Sequence, residues 1–445
     1  MSVTLRAIVA LCLATMLATA AIAQDRITLS GVLAEHDIVD LTHTLDGNFP
    51  FIPVPGITFP FALEPIATLE RNGVAANKWR IHEHIGTQID APNHFARGGA
   101  GLDALAAGQL IVPVVVIDFR AEATANRDAV LTIDHIRAWE AQHGRIPAGA
   151  AVVLYTGWDR RIGDPTYIGL DEKGVMHFPG IGADTAAFLA DERDAWGVGV
   201  DTLSFDPGFD KTYATHGALL GRGKWALEAL ANLDQVPPAG AMLVIGALKV
   251  RNATGGPVRV LALAPKMRIP QGALSGNWES AAVEEIRAAG GRSTFLKRVF
   301  SFSEDRWAIT FTVYADSAGT TAILRGRNEG RFAIKRSMPL VQAFEADFRF
   351  EARSLTPLTG EVAAALTAAG CGRGIWRAGE PQDVTERGCP TFRVPAASEC
   401  PVEFDVVRFQ DGDLYLGARP TTGDLCRPDA RPLRHGTAAL RRARP

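Results

Sequence analysis

The chain has 445 residues, 47% of them apolar, and a net charge of −3. That length points to two domains rather than one, and the apolar fraction is that of an ordinary globular protein. With no basic block in the sequence, the composition excludes the electrostatic footprint of a nucleic-acid-binding surface.

Residues 1–23 stand apart from the rest. Arg6 precedes an apolar run from Ala7 to Ala20, and Ala21-Ile22-Ala23 offers a small-x-small cleavage site. The pattern predicts a signal peptide removed before Gln24, and a protein that is periplasmic or secreted. An uncleaved membrane anchor is the alternative, although the run is short for a bilayer span.

Residues 24–270 form the first expected domain. Asp37 to Leu45 reads as an opening strand containing His43, which is either a hydrogen-bonded structural histidine or a ligand. Trp79 to Ile85 reads as a strand leading into His84-Ile85-Gly86-Thr87-Gln88-Ile89-Asp90-Ala91-Pro92-Asn93-His94. Along an extended strand His84, Gln88 and Asp90 share one side, and Pro92 turns the chain so that His94 folds back. The group supplies nitrogen and oxygen donors for a divalent cation, with a spare imidazole for proton transfer.

This stretch resembles the cyclase family of metal-dependent hydrolases, which includes bacterial kynurenine formamidase and isatin hydrolase. The shared pattern is His-x-Gly-Thr-x-x-Asp-x-Pro-x-His. Gln88 stands where kynurenine formamidases usually have a third histidine, and isatin hydrolase-like members carry Gln there. The resemblance implies a swivelling β/β/α architecture over roughly residues 31–266, with His94 as acid and base.

The following elements alternate as in an α/β protein. Val112 to Phe119, Ala151 to Thr156 and Gly197 to Leu203 are apolar runs expected as buried strands. Thr132 to His143 and Asp184 to Glu192 are expected as helices. His82 shares a face with His84 but matches no motif position, so it is expected behind the site. Arg97 to Gly101 is a loop placed to close over the site. Two further candidates come from the resemblance: Trp158, in Gly157-Trp158-Asp159-Arg160-Arg161, and Ser204, in the run Asp201 to Pro207, both as substrate contacts. A solvated strand end is the alternative for Ser204. His216 and Glu228 lie twelve residues apart, the spacing with which kynurenine formamidases reach metal. Trp225 to Leu233 is expected as a helix carrying Glu228 beside its apolar face. Ala241 to Val250 and Val258 to Ala264 close the domain as strands.

Residues 271–445 form the second expected domain. Gly276-Asn277-Trp278 opens a series of short strands: Phe295 to Phe302, Trp307 to Tyr314, Thr321 to Arg327, Arg331 to Ile334 and Ala343 to Phe350. A hairpin about Asp411-Gly412 follows. With Tyr314-Ala315-Asp316 and Leu414 to Gly417, these stretches resemble the lipocalin-like extracellular domain family first named from an inhibitor of Wnt signalling. The implied fold is an antiparallel β-barrel, either holding one apolar ligand or filled by side chains. Cys371, Cys389, Cys400 and Cys426 predict two disulfides with three possible connectivities, a four-cysteine zinc site being the alternative. Arg441, Arg442 and Arg444 make a basic tail.

The expected function is exported hydrolysis of an amide C–N bond, in an aryl formamide or a cyclic lactam such as isatin. The expected cofactor is one Mn²⁺ or Zn²⁺ held by His84, Asp90, His216 and Glu228, with Gln88 as a further or outer ligand. A dinuclear zinc centre is the alternative. The expected partners are the small-molecule substrate and further copies of the chain, associating through the first domain. The rival reading is an exported binding protein whose barrel captures a hydrophobic ligand and whose first domain is not catalytic.

Overall fold

The computed structural model describes residues 29–269, 272–287, 293–419 and 424–443. The expected signal segment, Pro270 and Arg444 lie outside the described residues. The chain divides into two compact units, Met1–Lys266 and Met267–Pro445. Among the described residues no helix is long and apolar enough to cross a membrane.

The strands of the first unit are β1 (His36–Asp40), β2 (Ala62–Ala67), β3 (Ala76–Arg80), β4 (Gln88–Asp90), β5 (Ile111–Asp118), β6 (Val130–Leu131), β7 (Ala151–Tyr155), β8 (Gly180–Ile181), β9 (Gly197–Val200), β10 (Trp225–Glu228), β11 (Ala241–Gly246), β12 (Gly255–Pro257) and β13 (Arg259–Pro265). Nine of them form one mixed sheet in the order β1-β13-β11-β5-β7-β9-β10-β4-β12, while β2 pairs with β3 and β6 with β8. The centre, β5-β7-β9-β10, is parallel. Their central residues read as near-continuous apolar runs, as expected where both faces of a parallel sheet are covered. Val115, Ile117, Val152, Leu154, Val198 and Val200 pack in one buried cluster with Ile136 and Trp139 of helix Ile133–His143 and Leu189 of helix Ala183–Glu192.

Close packing at the middle of this sheet depends on Gly197. A Cβ there would lie 2.3 Å from Trp225 Cε3, across the β9–β10 pair. Gly197→Ala therefore forces the indole of a fully buried tryptophan to move. The expected cost is about 1–3 kcal/mol, read as a lower midpoint in chemical unfolding; an unchanged midpoint would show that Trp225 has room to shift.

Two expectations are corrected here. Residues 225–228, expected as the start of a helix, form strand β10, seated between β9 and β4. A short apolar run does not distinguish a buried strand from a buried helix; Trp225, Ala226 and Leu227 are buried in a strand that pairs with β9 on one edge and, from Ala226, with β4 on the other. Ala229 and Asn232 then take left-handed backbone (φ +50° and +55°), which rules out a continuing helix. The strand expected over residues 79–85 is also shorter. β3 stops at Arg80, and Gly86 at φ +76° keeps the chain irregular until β4 begins at Gln88.

In the second unit, eight antiparallel strands close on themselves. Gly276–Ser280 pairs with both Ser293–Ser303 and His435–Arg442, and Arg306–Tyr314, Ala322–Met338, Ala343–Pro357, Val402–Gln410 and Asp413–Gly417 complete the circuit. The strands expected over 321–327 and 331–334 are one, with a register shift between Glu329 and Gly330. Glycine inside a strand marks such a bulge; a Cβ at Gly330 would meet Arg349 O. Trp278, Phe300, Phe302, Trp307, Phe348 and Phe350 belong to one buried cluster within this unit. Helix Gly360–Ala368, not anticipated from the sequence, packs Ala363 and Leu366 against Leu324, Leu355 and Trp376. The cysteines pair as Cys371–Cys389 and Cys400–Cys426, one of the three open connectivities. Of the basic tail, Arg442 lies over the Trp278 ring and donates to the carbonyls of Ala273 and Ser275, so it fastens the last strand to the first.

The turn after Tyr314 gives a pH signature. The carboxylate of Asp316 accepts the backbone N–H groups of Thr320 and Thr321 at 3.1 and 2.8 Å, and these bonds hold its pKa down to about 2. A depressed carboxylate contributes stability above its unfolded value, near 4, that is lost as pH falls through the folded value. Asp316→Asn is expected to lower the melting temperature near neutral pH, with the gap closing between about pH 4 and about pH 2. A gap that does not change with pH would contradict this assignment.

Candidate metal centre

The centre is built on the β10–β4–β12 edge of the first sheet. The antiparallel pair β4–β10 sets Gln88 opposite Glu228 and Asp90 opposite Ala226. Residues opposite one another share a face, so Gln88 Nε2 donates to Glu228 Oε2 at 2.6 Å. Asp90, two residues on, points the same way. Thr87 locks the approach to β4: its hydroxyl donates to Ala229 O and accepts from the His43 backbone N–H.

Pro92 starts a single 3-10 turn, Pro92–His94, as the sequence leads one to expect. That turn brings the His94 ring onto His84, stacked at 3.9 Å between centroids. The chain returns to the same point from helix Ala214–Leu220, which supplies His216. His216 Nε2 lies 3.3 Å from Asp90 Oδ2 and 3.8 Å from Glu228 Oε1, and His84 Nδ1 lies 2.8 Å from Asp90 Oδ1.

Two groups of donor atoms result, His84–Asp90–His94 and Asp90–His216–Glu228, each with its ligand atoms within 4.8 Å of one another and both sharing Asp90. The spacing suits a common ion, since donors on bonds of roughly 2 Å stand roughly 3 Å apart. Two further atoms fit the same reading. Gln88 Oε1 and Asp90 Oδ2 are buried without a hydrogen-bond partner among the described residues, a costly arrangement unless a cation receives their lone pairs.

The electrostatics are those of a crowded buried carboxylate pair. Burial, then the charge of Asp90, pushes Glu228 up to about 8. Burial would raise Asp90 too, but His84 and His216 overcome it and hold Asp90 well below the usual carboxylate range. Burial would lower His216, yet Asp206, Asp90 and Glu228 raise it to about 10. Burial lowers His94 to about 4, with His84 and His216 adding to the effect and Asp90 opposing it.

Asp206, within the run Asp201 to Pro207, has a role that the structure supplies. Its carboxylate accepts the His216 Nδ1–H and the Thr215 and His216 backbone N–H groups. This fixes the tautomer of His216 and turns Nε2 towards Asp90 and Glu228, the arrangement commonly found behind ligating histidines. Phe205 stacks on the ring at 3.9 Å between centroids. Nothing in the sequence spacing announces the pair, since His216 lies ten positions beyond Asp206, past a loop and inside the next helix.

The remaining candidates lie outside the donor groups. Trp158 is buried with Tyr167, Phe178 and Leu203, its Nε1 donating to Tyr167 O and its ring under Arg161. Ser204 is buried, and its Oγ accepts the Asp206 backbone N–H at 3.2 Å. His82 packs edge-on against Phe51 and Phe59, and His43 lies near Phe49. The loop at Arg97 to Gly101 folds back on the motif, with the Asn93 N–H donating to Ala100 O.

Comparison with known proteins finds relatives of the first unit. A family model described as "Putative cyclase" matches residues 39–207. Its span ends before His216 and Glu228, which the fold nevertheless brings to the same centre. Isatin hydrolase of Roseibium aggregatum is 37% identical over 247 residues, covering 52% of this chain and 93% of that protein. Kynurenine formamidase of Bacillus cereus is 29% identical over 224 residues, covering 50% of this chain and 95% of that protein. Among solved structures, isatin hydrolase A from Labrenzia aggregata bound to benzyl benzoate superposes with a TM-score of 0.50 at 38% identity, over 53% of this chain and 96% of that one. With a relative this similar matched along nearly its full length, the chain belongs to the cyclase family of metal-dependent hydrolases, related to isatin hydrolase and kynurenine formamidase.

Proposed function

We propose that the first unit hydrolyses an amide C–N bond in an aryl formamide or a cyclic lactam such as isatin. The observation that carries this reading is the convergence of His84, Asp90, His94, His216 and Glu228 into two donor groups that share one buried carboxylate. Asp90, His84, His216 and Glu228 would hold one divalent ion, with Gln88 as a further oxygen donor. Such an ion, when bound, polarises the substrate carbonyl and makes water acidic. Gln88 brings a carbonyl oxygen where an imidazole would bring nitrogen, which favours Mn²⁺ over Zn²⁺; Gln88→His would move the preference back.

His94 is the base of this scheme. It is neutral near pH 7, because burial disfavours its charged form, so it is able to accept a proton from the attacking water. The water oxygen adds to the carbonyl carbon, and the C–N bond then breaks as His94 returns the proton to the departing nitrogen. An aryl substrate has a wall to lie against. Phe95, 41% exposed, has its ring 4.9 Å from His94 and 4.6 Å from His216, with Tyr213 at 5.7 Å.

Export belongs to the same reading, supported by two disulfides in the second unit, which persist in oxidising compartments. A lipocalin-like character for the barrel is supported by the Gly276-Asn277-Trp278 opening with Trp278 buried. Association of copies through the first unit is supported by the β2–β3 ribbon and its flanks, where Leu63, Ile66, Leu69, Val74 and Trp79 are exposed; a two-stranded ribbon alone is marginal in water. The test of function is turnover of isatin and of N-formylkynurenine by the full metal-loaded chain. Hydrolysis of either supports the reading, and hydrolysis of neither contradicts it.

A further inference from the structure

The metal-site reading has a consequence for residues outside the motif. Resting on that reading, we propose that Thr254 and Glu83 are positioning residues that fix the tautomer of His84, so that His84 meets the ion through Nδ1.

The Thr254 hydroxyl has one hydrogen, and it is committed to Glu83 Oε2, which accepts only. The same carboxylate oxygen accepts the Thr254 backbone N–H at 3.0 Å, so the two residues are clamped together. Thr254 Oγ1 therefore has only lone pairs to offer its other neighbour, His84 Nε2, at 3.0 Å. That nitrogen must carry a hydrogen. A ligating imidazole is neutral and carries just one, so Nδ1 keeps its lone pair, on the side facing Asp90 Oδ1.

The backbone supports this placement. Thr254 immediately precedes β12, and Gly255 pairs with Asp90 in the ladder. The strand that sets the register beside Asp90 thus also delivers the hydroxyl to His84. Gly255 leaves room for the ring, since a Cβ there would lie 2.7 Å from His84 Cε1 and 2.5 Å from Ile89 O. The two histidines are then tethered in opposite senses. Asp206 holds His216 at Nδ1 and presents Nε2, whereas the Thr254–Glu83 pair holds His84 at Nε2 and presents Nδ1.

The experiment is nitrogen-15 NMR of the histidine-labelled, zinc-loaded full chain, with zinc affinity measured by chelator competition. In the wild type and in Thr254→Ser, Nδ1 of His84 should be the zinc-bound nitrogen and Nε2 the protonated one. Thr254→Val keeps the shape and removes the acceptor. It should weaken zinc binding by roughly 10–100-fold, the usual cost of losing such a partner, and Thr254→Ser should restore it. Glu83 is exposed, so Glu83→Gln tests the clamp with little risk to folding. It frees the hydroxyl to donate either way, and should weaken zinc binding. Coordination of His84 through Nε2 in the wild type, or wild-type zinc affinity in both Thr254→Val and Glu83→Gln, would overturn the inference while leaving the metal site standing. A wild-type chain that takes up no zinc or manganese would overturn the metal-site reading, and the inference with it.

Discussion

Asp90→Ala is expected to lose metal and hydrolytic activity together. Asp90 is the one residue shared by both donor groups, and it is buried with His84 on one oxygen and His216 facing the other. Losing a partner behind a ligand costs roughly 10–100-fold in metal affinity, so losing the shared charged ligand should exceed about 10²-fold and leave the chain metal-free at micromolar ion. Turnover should fall to background. The variant also removes the charge that raises its histidine neighbours and helps to push Glu228 up, so the upward shift of Glu228 is partly relieved; a folded protein is the expected product, checked by circular dichroism. Metal analysis that finds a full complement in Asp90→Ala would refute the assignment of the centre.

His94→Ala is expected to separate chemistry from binding. His94 lies past the Pro92 turn, in the group with His84 and Asp90 but not in the group with Glu228. Removing a positioned acid and base slows turnover by roughly 10²–10⁴-fold, and the metal content should stay that of the wild type. Loss of metal would make His94 a ligand and leave proton transfer without a residue. Wild-type turnover would remove the mechanism.

Much of this centre is legible in the sequence because the motif is short. From His84 to His94 the donors lie within eleven residues, and local rules place three of them: alternation for Gln88 and Asp90, fixed proline backbone for His94. Even there the path differs, because Gly86 in left-handed backbone breaks the expected strand while still delivering His84 to Asp90. The partners from afar are legible only through the resemblance. Glu228 reaches the centre as the residue opposite Gln88 in a β-ladder, yet the run around it reads equally as a helix, since burial on both sides erases the periodicity that tells strand from helix.

Asp206 and Thr254 are invisible for a different reason. Each acts by holding one ring nitrogen of a histidine, and Thr254 is 170 residues from its partner, so no local spacing records the contact. In the second unit, alternation located most of the strands, but the bulge at Gly330 split one of them and helix Gly360–Ala368 escaped notice. The cysteines allowed three pairings until the fold brought Cys371 to Cys389 and Cys400 to Cys426.

The central claim is that one ion held around Asp90 is required for amide hydrolysis. The most direct measurement strips the full chain of metal with a chelator, then restores Mn²⁺ or Zn²⁺ while following hydrolysis of isatin and N-formylkynurenine. Turnover is expected to disappear on stripping and to return in proportion to bound metal, saturating at one ion per chain. Undiminished hydrolysis by the fully stripped protein would contradict the claim.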